Sequence, residues 1–124
     1  MIKLLIIGAG GFLGAILRYE ISGWTHKLVG GSFPYGTLSV NVLGSFFLGF
    51  FLVLANTRFL IPDAYKSLIA VGLLGAFTTF STFSYETMAL LQINLLKQAI
   101  LNIMLNLILG LIAVWLGIIA ARLV

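Results

Sequence analysis

Long apolar runs alternate with short polar connections along the whole chain, and this pattern predicts its secondary structure. The apolar stretches fall at about residues 3–24, 34–55, 66–92 and 98–122. Each of them is long enough to cross roughly 30 Å of hydrocarbon as an α-helix. The pattern therefore predicts an all-α membrane protein, with residues 1–124 forming a single four-helix transmembrane domain.

Polar side chains inside two of the predicted spans recur at helical spacing. On the second span, Thr37, Asn41 and Ser45 form one stripe, and on the fourth span Asn102 and Asn106 begin a similar seam. Such faces avoid lipid, because polar groups are costly in hydrocarbon. They either bond one helix to another or line a pathway of donors. A single hydroxyl is typical of the first role, whereas Asn41 at mid-span favours the second.

The third span carries a dense polar and aromatic cluster, LGAFTTFSTFSYE, at residues 74–86. The span is also long, since residues 66–92 in one straight helix would reach roughly 40 Å. Gly75, followed by the β-branched Thr78 and Thr79, predicts a break in the helix. A break leaves backbone carbonyls without intrahelical partners at membrane depth, where a cation, a neighbouring helix or water must satisfy them.

Composition places the chain in the membrane class and excludes several kinds of site. Hydrophobic residues make up 61% of the 124 and charged residues 8%, and the mean hydropathy is +1.19. The absence of cysteine excludes disulfides and thiolate metal sites, and the single His26 falls in a predicted connection. The opening GAGGFLG lacks the spacing and context of a dinucleotide site. Gly8, Gly11, Ala15 and Arg18 instead form a helix face of small residues, overlapped by Gly10 and Gly14, which indicates close helix packing.

The basic residues are divided almost evenly between the two sides of the predicted topology. One side carries Lys3, Arg58, Lys66 and Arg122, and the other carries Arg18, Lys27 and Lys97. Four against three is a weak orienting signal under the positive-inside rule. The tally predicts that the chain inserts in both orientations; the alternative is that one decisive charge orients it.

Three motifs together resemble those of the Fluc (CrcB) fluoride channels. They are GAGGFLGAILRY on the first span, NVLGSFFLGF on the second and GAFTTFSTFSYE on the third, and the resemblance covers essentially the whole chain. It implies an antiparallel, dual-topology homodimer in the bacterial cytoplasmic (inner) membrane, with two pores that export fluoride and protect the cell from its toxicity. It also implies a structural Na⁺ at the dimer interface, held by the backbone carbonyls of Gly75 and Thr78.

The resemblance also implies which residues meet the ion. Its motifs match Asn41 as the pore asparagine, Phe80 and Phe83 as the pore phenylalanines, and Arg18 as a vestibule residue. With the neighbouring donors, the predicted pore set is Asn41, Thr79, Phe80, Ser81, Thr82, Phe83, Asn102 and Asn106. Glu86 is predicted to face a wet vestibule or to pair with a donor, because a carboxylate is costly near lipid.

The fourth span departs from the family pattern, while the chemistry of the remaining residues agrees with it. Relatives often carry a Tyr/Ser/Thr track on this span, whereas this chain has Asn102, Asn106 and then Gly110. Fluoride is strongly hydrated, so a pore must replace its water with amide and hydroxyl donors. Phenylalanine adds the positive edge of its ring, which attracts an anion without titrating.

Two other functions remain as alternatives at this point. A proton-coupled exporter of cationic drugs, similar to the small multidrug resistance family, needs a carboxylate deep in the first span. The one acid there is Glu20, near the predicted helix end, which disfavours this function. A purely structural membrane subunit gives no reason for Asn41 at mid-span. An enzymatic activity is not predicted.

Overall fold

The computed structural model describes residues 1–57, 59 and 61–124, and within these residues all regular structure is helical. Four helical segments are long and apolar enough to cross a membrane, as the hydrophobic pattern predicts. They are Ile2–Val29, Tyr35–Thr57, Asp63–Gln92 and Leu96–Leu123. Arg58, which enters the charge tally, lies outside the described residues.

Three of the spans are single helices and the third is composite. The single helices are α1 (Ile2–Val29), α2 (Tyr35–Thr57) and α6 (Leu96–Leu123). The third span contains α3 (Asp63–Lys66), a π-helix (Ser67–Leu74), α4 (Gly75–Phe77) and α5 (Phe80–Gln92). The π-helix is a feature that the hydrophobic pattern does not predict, because its apolar run fits an α-helix equally well.

The first helix continues well past the end that the sequence predicts. His26 therefore lies on α1 and not in a connection, so its predicted placement is wrong. The helix ends at Gly30, whose φ of 69° falls in the left-handed region that glycine adopts readily. The extra turn places the exposed His26 side chain beside the entrance to a cavity described below.

The predicted break in the third span lies at Thr78 and Thr79. Both residues are extended, with φ and ψ of −85° and 159° for Thr78 and of −152° and 114° for Thr79. β-Branched side chains favour this conformation. Thr79 is also the N-cap of α5, because its side chain accepts a hydrogen bond from the N–H of Thr82. The break is thus confirmed at the place where the sequence puts it.

Glycines allow α1 to lie directly against the first half of the third span. A Cβ atom added to Gly10 would collide with the carbonyl oxygen of Leu68, and one added to Gly14 would collide with that of Leu73. A Cβ atom added to Gly8 meets nothing within 4 Å. Gly10 and Gly14 therefore form the closest contact with the third span, whereas the predicted face of Gly8 and Gly11 does not, and such close approach is typical of membrane helices.

The second and fourth spans pack in the same way. A Cβ atom on Gly49 would lie 2.5 Å from the carbonyl oxygen of Val114, and one on Gly117 would collide with that of Phe46. These contacts hold α2 and α6 close together along most of their length. The break and α5 face this pair, so polar residues of all three helices meet in one layer.

Candidate functional site

Two cavities meet at Thr79, the second residue of the break. The first has a volume of about 580 Å³ and is lined by Arg18 and Thr82; we call it the vestibule. The second has a volume of about 270 Å³ and is lined by Phe80 and Phe83; we call it the aromatic cavity. Because Thr79 lines both, it lies between the predicted vestibule arginine and the predicted pore phenylalanines.

The side-chain amide of Asn41 bonds to both polar groups of the Thr79 backbone. Asn41 Oδ1 accepts from the Thr79 N–H at 2.8 Å, and Asn41 Nδ2 donates to the Thr79 carbonyl at 3.2 Å. Since a backbone N–H is a donor only, this contact fixes which end of the Asn41 amide is the oxygen. The second span thereby holds the backbone of the third at its break.

The amide of Asn41 begins a network that crosses to the fourth span. Asn41 Nδ2 also donates to Asn106 Oδ1 at 2.9 Å. Asn106 Nδ2 donates to both the backbone and side-chain oxygens of Asn102, each at 3.0 Å. The amide protons of Asn41 and Asn106 are therefore all directed at protein acceptors, and neither amide has a proton left over.

The network then returns to the third span. Asn102 Nδ2 donates to Thr87 Oγ1 at 3.0 Å, and Thr87 Oγ1 donates to the carbonyl of Phe83 at 2.8 Å. Asn102 is completely buried and lines neither cavity. The geometry therefore places Asn102 behind Asn106, where it supports the network. Thr87 is a member that the sequence analysis missed, since it looks like an isolated hydroxyl.

Hydroxyl groups cluster around the start of α5. Thr79 Oγ1 accepts from the Thr82 N–H at 3.2 Å and donates to Thr82 Oγ1 at 2.9 Å. Ser81 Oγ lies 3.4 Å from Thr79 Oγ1. Because Thr82 Oγ1 accepts from Thr79, its own proton is left for an acceptor in the vestibule. Thr79 and Thr82 thus line the vestibule, while Ser81 lies beside Thr79 but lines neither cavity.

Glu86 pairs with a hydroxyl of the second span. Thr37 Oγ1 donates to Glu86 Oε1 at 2.8 Å, and the Thr37 side chain is buried. Glu86 Oε2 is also buried and, within the part of the chain that the structure describes, has no hydrogen-bond partner. Thr37, Glu86 and the exposed His26 line a further cavity of about 400 Å³. The Glu86 carboxylate therefore both accepts a hydrogen bond from Thr37 and lines a cavity, which are the two surroundings that the sequence predicts as alternatives.

The two predicted pore phenylalanines contact each other but differ in exposure. Their ring centroids lie 5.5 Å apart, with an angle of 54° between the ring planes. The Phe80 side chain is 77% exposed on the surface of the single chain, whereas Phe83 is buried. Both rings line the aromatic cavity, so one closes its inner side while the other lies at its outer rim.

The break changes the partners of the two carbonyls that are predicted to hold sodium. In an uninterrupted α-helix, the carbonyl of Gly75 would accept from the Thr79 N–H. The carbonyl of Thr78 would likewise accept from the Thr82 N–H. Those N–H groups bond instead to Asn41 Oδ1 and Thr79 Oγ1. Gly75 and Thr78 therefore present carbonyl oxygens whose usual donors are engaged elsewhere.

Comparison with known proteins gives matches along nearly the whole chain. A family model described as CrcB-like protein, Camphor Resistance (CrcB), matches residues 5–118. The Fluoride-specific ion channel FluC of Shewanella amazonensis is 55% identical over 117 residues, which cover 94% of this chain and 94% of that protein. The Fluoride-specific ion channel FluC 1 of Methanosarcina acetivorans is 47% identical over 121 residues, covering 98% and 92%. The FluC protein of Magnetococcus marinus is 45% identical over 118 residues, covering 95% and 96%.

Proposed function

Because this chain belongs to the CrcB family, we infer that it is a fluoride-specific ion channel. It is a multi-pass membrane protein and not an enzyme. The family favours this function over the cation exporter that the sequence analysis keeps as an alternative. Glu20 lies well inside α1, which continues to Val29, so its predicted place near the helix end is wrong, and the family comparison is what disfavours the exporter.

The observation that carries a conduction path is the position of Thr79 between the vestibule and the aromatic cavity. We propose that fluoride enters beside Arg18, which is half-buried and attracts anions from the aqueous side. The ion then exchanges water for the hydroxyls of Ser81 and Thr82, which Thr79 positions through its own bonds. Each of these groups is neutral, so it stabilises the ion without holding it as tightly as a buried cation would.

Beyond the hydroxyls, the path continues along the two phenylalanines. The edges of Phe80 and Phe83 carry partial positive charge and supply a weak, non-titrating attraction. Asn41 and Asn106 lie beside them and complete the polar wall. Ring edges and neutral donors in succession suit an ion that must bind and then leave quickly.

The active unit that we propose is an antiparallel homodimer with two pores in the cytoplasmic (inner) membrane. The nearly even distribution of basic residues supports insertion in both orientations. Phe80, exposed on the single chain, is available to a pore that the second copy helps to form. Passive flow of fluoride through this dimer would lower the fluoride concentration in the cytoplasm and protect the cell.

A structural Na⁺ at the centre of that dimer is part of the proposal. The carbonyls of Gly75 and Thr78 fit such an ion, because the N–H groups that would normally bond to them are engaged by side chains. Two carbonyls from each chain would provide four oxygens, and oxygen ligands suit a hard cation. Bound there, the ion would neutralise the carbonyl dipoles and join the two breaks.

Anion efflux from liposomes that contain the purified protein tests the conduction proposal. We expect rapid fluoride efflux, no comparable chloride efflux and no need for a proton gradient. Equal fluoride and chloride fluxes would contradict selectivity, and a strict requirement for a proton gradient would contradict passive conduction. Repeating the measurement with sodium replaced by a large organic cation on both sides tests the metal site, where we expect impaired flux or dimerisation. Unchanged flux and dimerisation without sodium would contradict the proposed Na⁺ site.

A further inference from the structure

Ser45 places a hydroxyl group in the aromatic cavity. It lies on α2, one turn after Asn41, and lines the cavity together with Phe80 and Phe83. Its Oγ atom makes no hydrogen bond to any residue that the structure describes. A hydroxyl in an apolar layer normally bonds to its own helix or to a neighbour, so a free one is conspicuous at this depth.

The other donors around the aromatic cavity are already engaged. Both amide protons of Asn41 are directed at Thr79 and Asn106, and those of Asn106 are directed at Asn102. An anion could take a proton of either amide only by displacing one of these oxygens. Ser45 can donate its proton to an anion without breaking an existing bond.

The residue of the fourth span that faces the Ser45 hydroxyl is a glycine. Its polar seam runs through Asn102 and Asn106 to Gly110, four residues further on. A Cβ atom built on Gly110 would have Ser45 Oγ as its nearest neighbour, at 3.8 Å. The fourth span therefore places a bare backbone position opposite the hydroxyl that α2 supplies.

We propose that Ser45 is a fluoride-contacting residue, whose hydroxyl donates to the ion in the aromatic cavity and supplies the donor that Gly110 lacks. The proposal rests on the proposed function as a fluoride channel. On one side the ion meets the O–H of Ser45, and on the other it meets the ring edges of Phe80 and Phe83. Ser45 thus extends the series of neutral donors from the hydroxyls around Thr79 into the cavity.

The test measures fluoride efflux from liposomes with Ser45→Ala, Ser45→Thr and a matched control. Because one donor to a transported anion is lost, we expect Ser45→Ala to slow efflux about tenfold, and Ser45→Thr, which keeps the hydroxyl, to retain most of the flux. The control is Ser39→Ala on the same helix. The Ser39 hydroxyl is engaged by the Gly36 carbonyl at 2.8 Å and by Thr25 at 3.1 Å, so its removal should leave efflux unchanged.

A second variant separates contact with the ion from packing. Gly110→Ser added to Ser45→Ala puts a hydroxyl on the opposite helix, beside the position that the Ser45 Oγ atom leaves, and the 3.8 Å spacing leaves room for its Cβ atom. We expect this double variant to recover most of the lost flux while eluting like the unmodified protein in size-exclusion chromatography. Undiminished flux in Ser45→Ala, or a loss that Gly110→Ser does not reverse, would overturn the role of Ser45. Absence of fluoride efflux from the unmodified protein would instead contradict the proposed function itself.

Discussion

The third span meets its neighbours in two different ways on the two sides of Thr79. Before the break, the π-helix packs on α1 through Gly10 and Gly14, and no side-chain hydrogen bond joins α1 to residues 63–77 among those described. After the break, α5 is joined to α2 and α6 by the amide and hydroxyl network. Shape thus fixes one half of the span, while directional bonds fix the other.

This difference indicates which property each half controls. Where two helix backbones touch, there is no space for an added side-chain atom. A larger residue there prevents the two helices from packing, so this contact should decide whether the chain folds. Each substitution in the hydrogen-bond network removes a particular set of bonds, so the losses should be graded by the bonds removed and should appear in the flux. Substitutions in the two halves can therefore be ranked.

The largest expected effect is in the glycine contact. Gly14→Val puts a branched side chain against the carbonyl of Leu73, and overpacking of this kind costs about 1–3 kcal/mol or more because backbone cannot rotate away. We expect loss of folded protein, measured as the fraction that elutes as a single species in detergent. Gly8→Val is the matched control, since a Cβ atom on Gly8 meets nothing within 4 Å. Equal yields of folded protein from the two variants would show that the close contact at Gly14 does not decide folding.

The next effect is expected where the network meets the break. Asn41→Ala removes the partners of the Thr79 N–H and carbonyl, and an unsatisfied buried group costs about 1–3 kcal/mol. We expect fluoride flux to fall about 100-fold as the break and the path both lose their support, and the Thr79 amide to exchange hydrogen faster. The control is Asn56→Ala, at the exposed end of the same helix. Slow exchange at Thr79 together with normal flux would show that Asn41 does not hold the break.

A smaller effect is expected from the pore aromatics. Phe80→Ile or Phe83→Ile keeps apolar bulk but removes the polarised ring edge, so we expect about a tenfold loss of fluoride flux with dimerisation retained. Phe12→Ile, at an exposed position on α1, is the control. If dimer stability falls first and the surviving dimers conduct normally, both rings are packing residues.

The smallest effect is expected at the far end of the network. Thr87→Val has nearly the same shape but removes the bond from Asn102, and such bonds between membrane helices average about 0.6 kcal/mol. We expect a slight loss of thermal stability and less than about a threefold change in flux. Thr57→Val removes a hydroxyl that bonds to its own helix at Val53 and should change neither quantity. A loss of flux as large as that of Asn41→Ala would mean that the network acts as a single unit.

The features that the sequence predicts are those encoded locally. The four spans follow from apolar runs, and the break follows from Thr78 and Thr79, whose side chains favour extended backbone. The π-helix is not predictable in this way, because its apolar run fits an α-helix equally well. It lies where α1 makes its close approach through Gly10 and Gly14, a contact between segments far apart in the chain.

The candidate site divides in a similar manner. Motif resemblance identifies Asn41, Phe80 and Phe83, and the structure places all three around one cavity. It does not identify the partner of Glu86, because the bond from Thr37 spans 49 positions of the chain. Periodicity assigns a residue to a helix face, but the neighbour on the facing helix depends on the register between the two helices.

The fixed donor-to-acceptor direction of the amide network has a consequence for proton transfer. Its bonds run from the Thr79 N–H through Asn41, Asn106 and Asn102, and the direction is fixed by a peptide group that cannot turn round. Chains of water and hydroxyls can relay protons when each link takes up one proton and releases another, whereas an amide neither gains nor loses a proton readily. The amides of Asn41, Asn106 and Asn102 therefore offer protons no relay from the break in the third span to the fourth span.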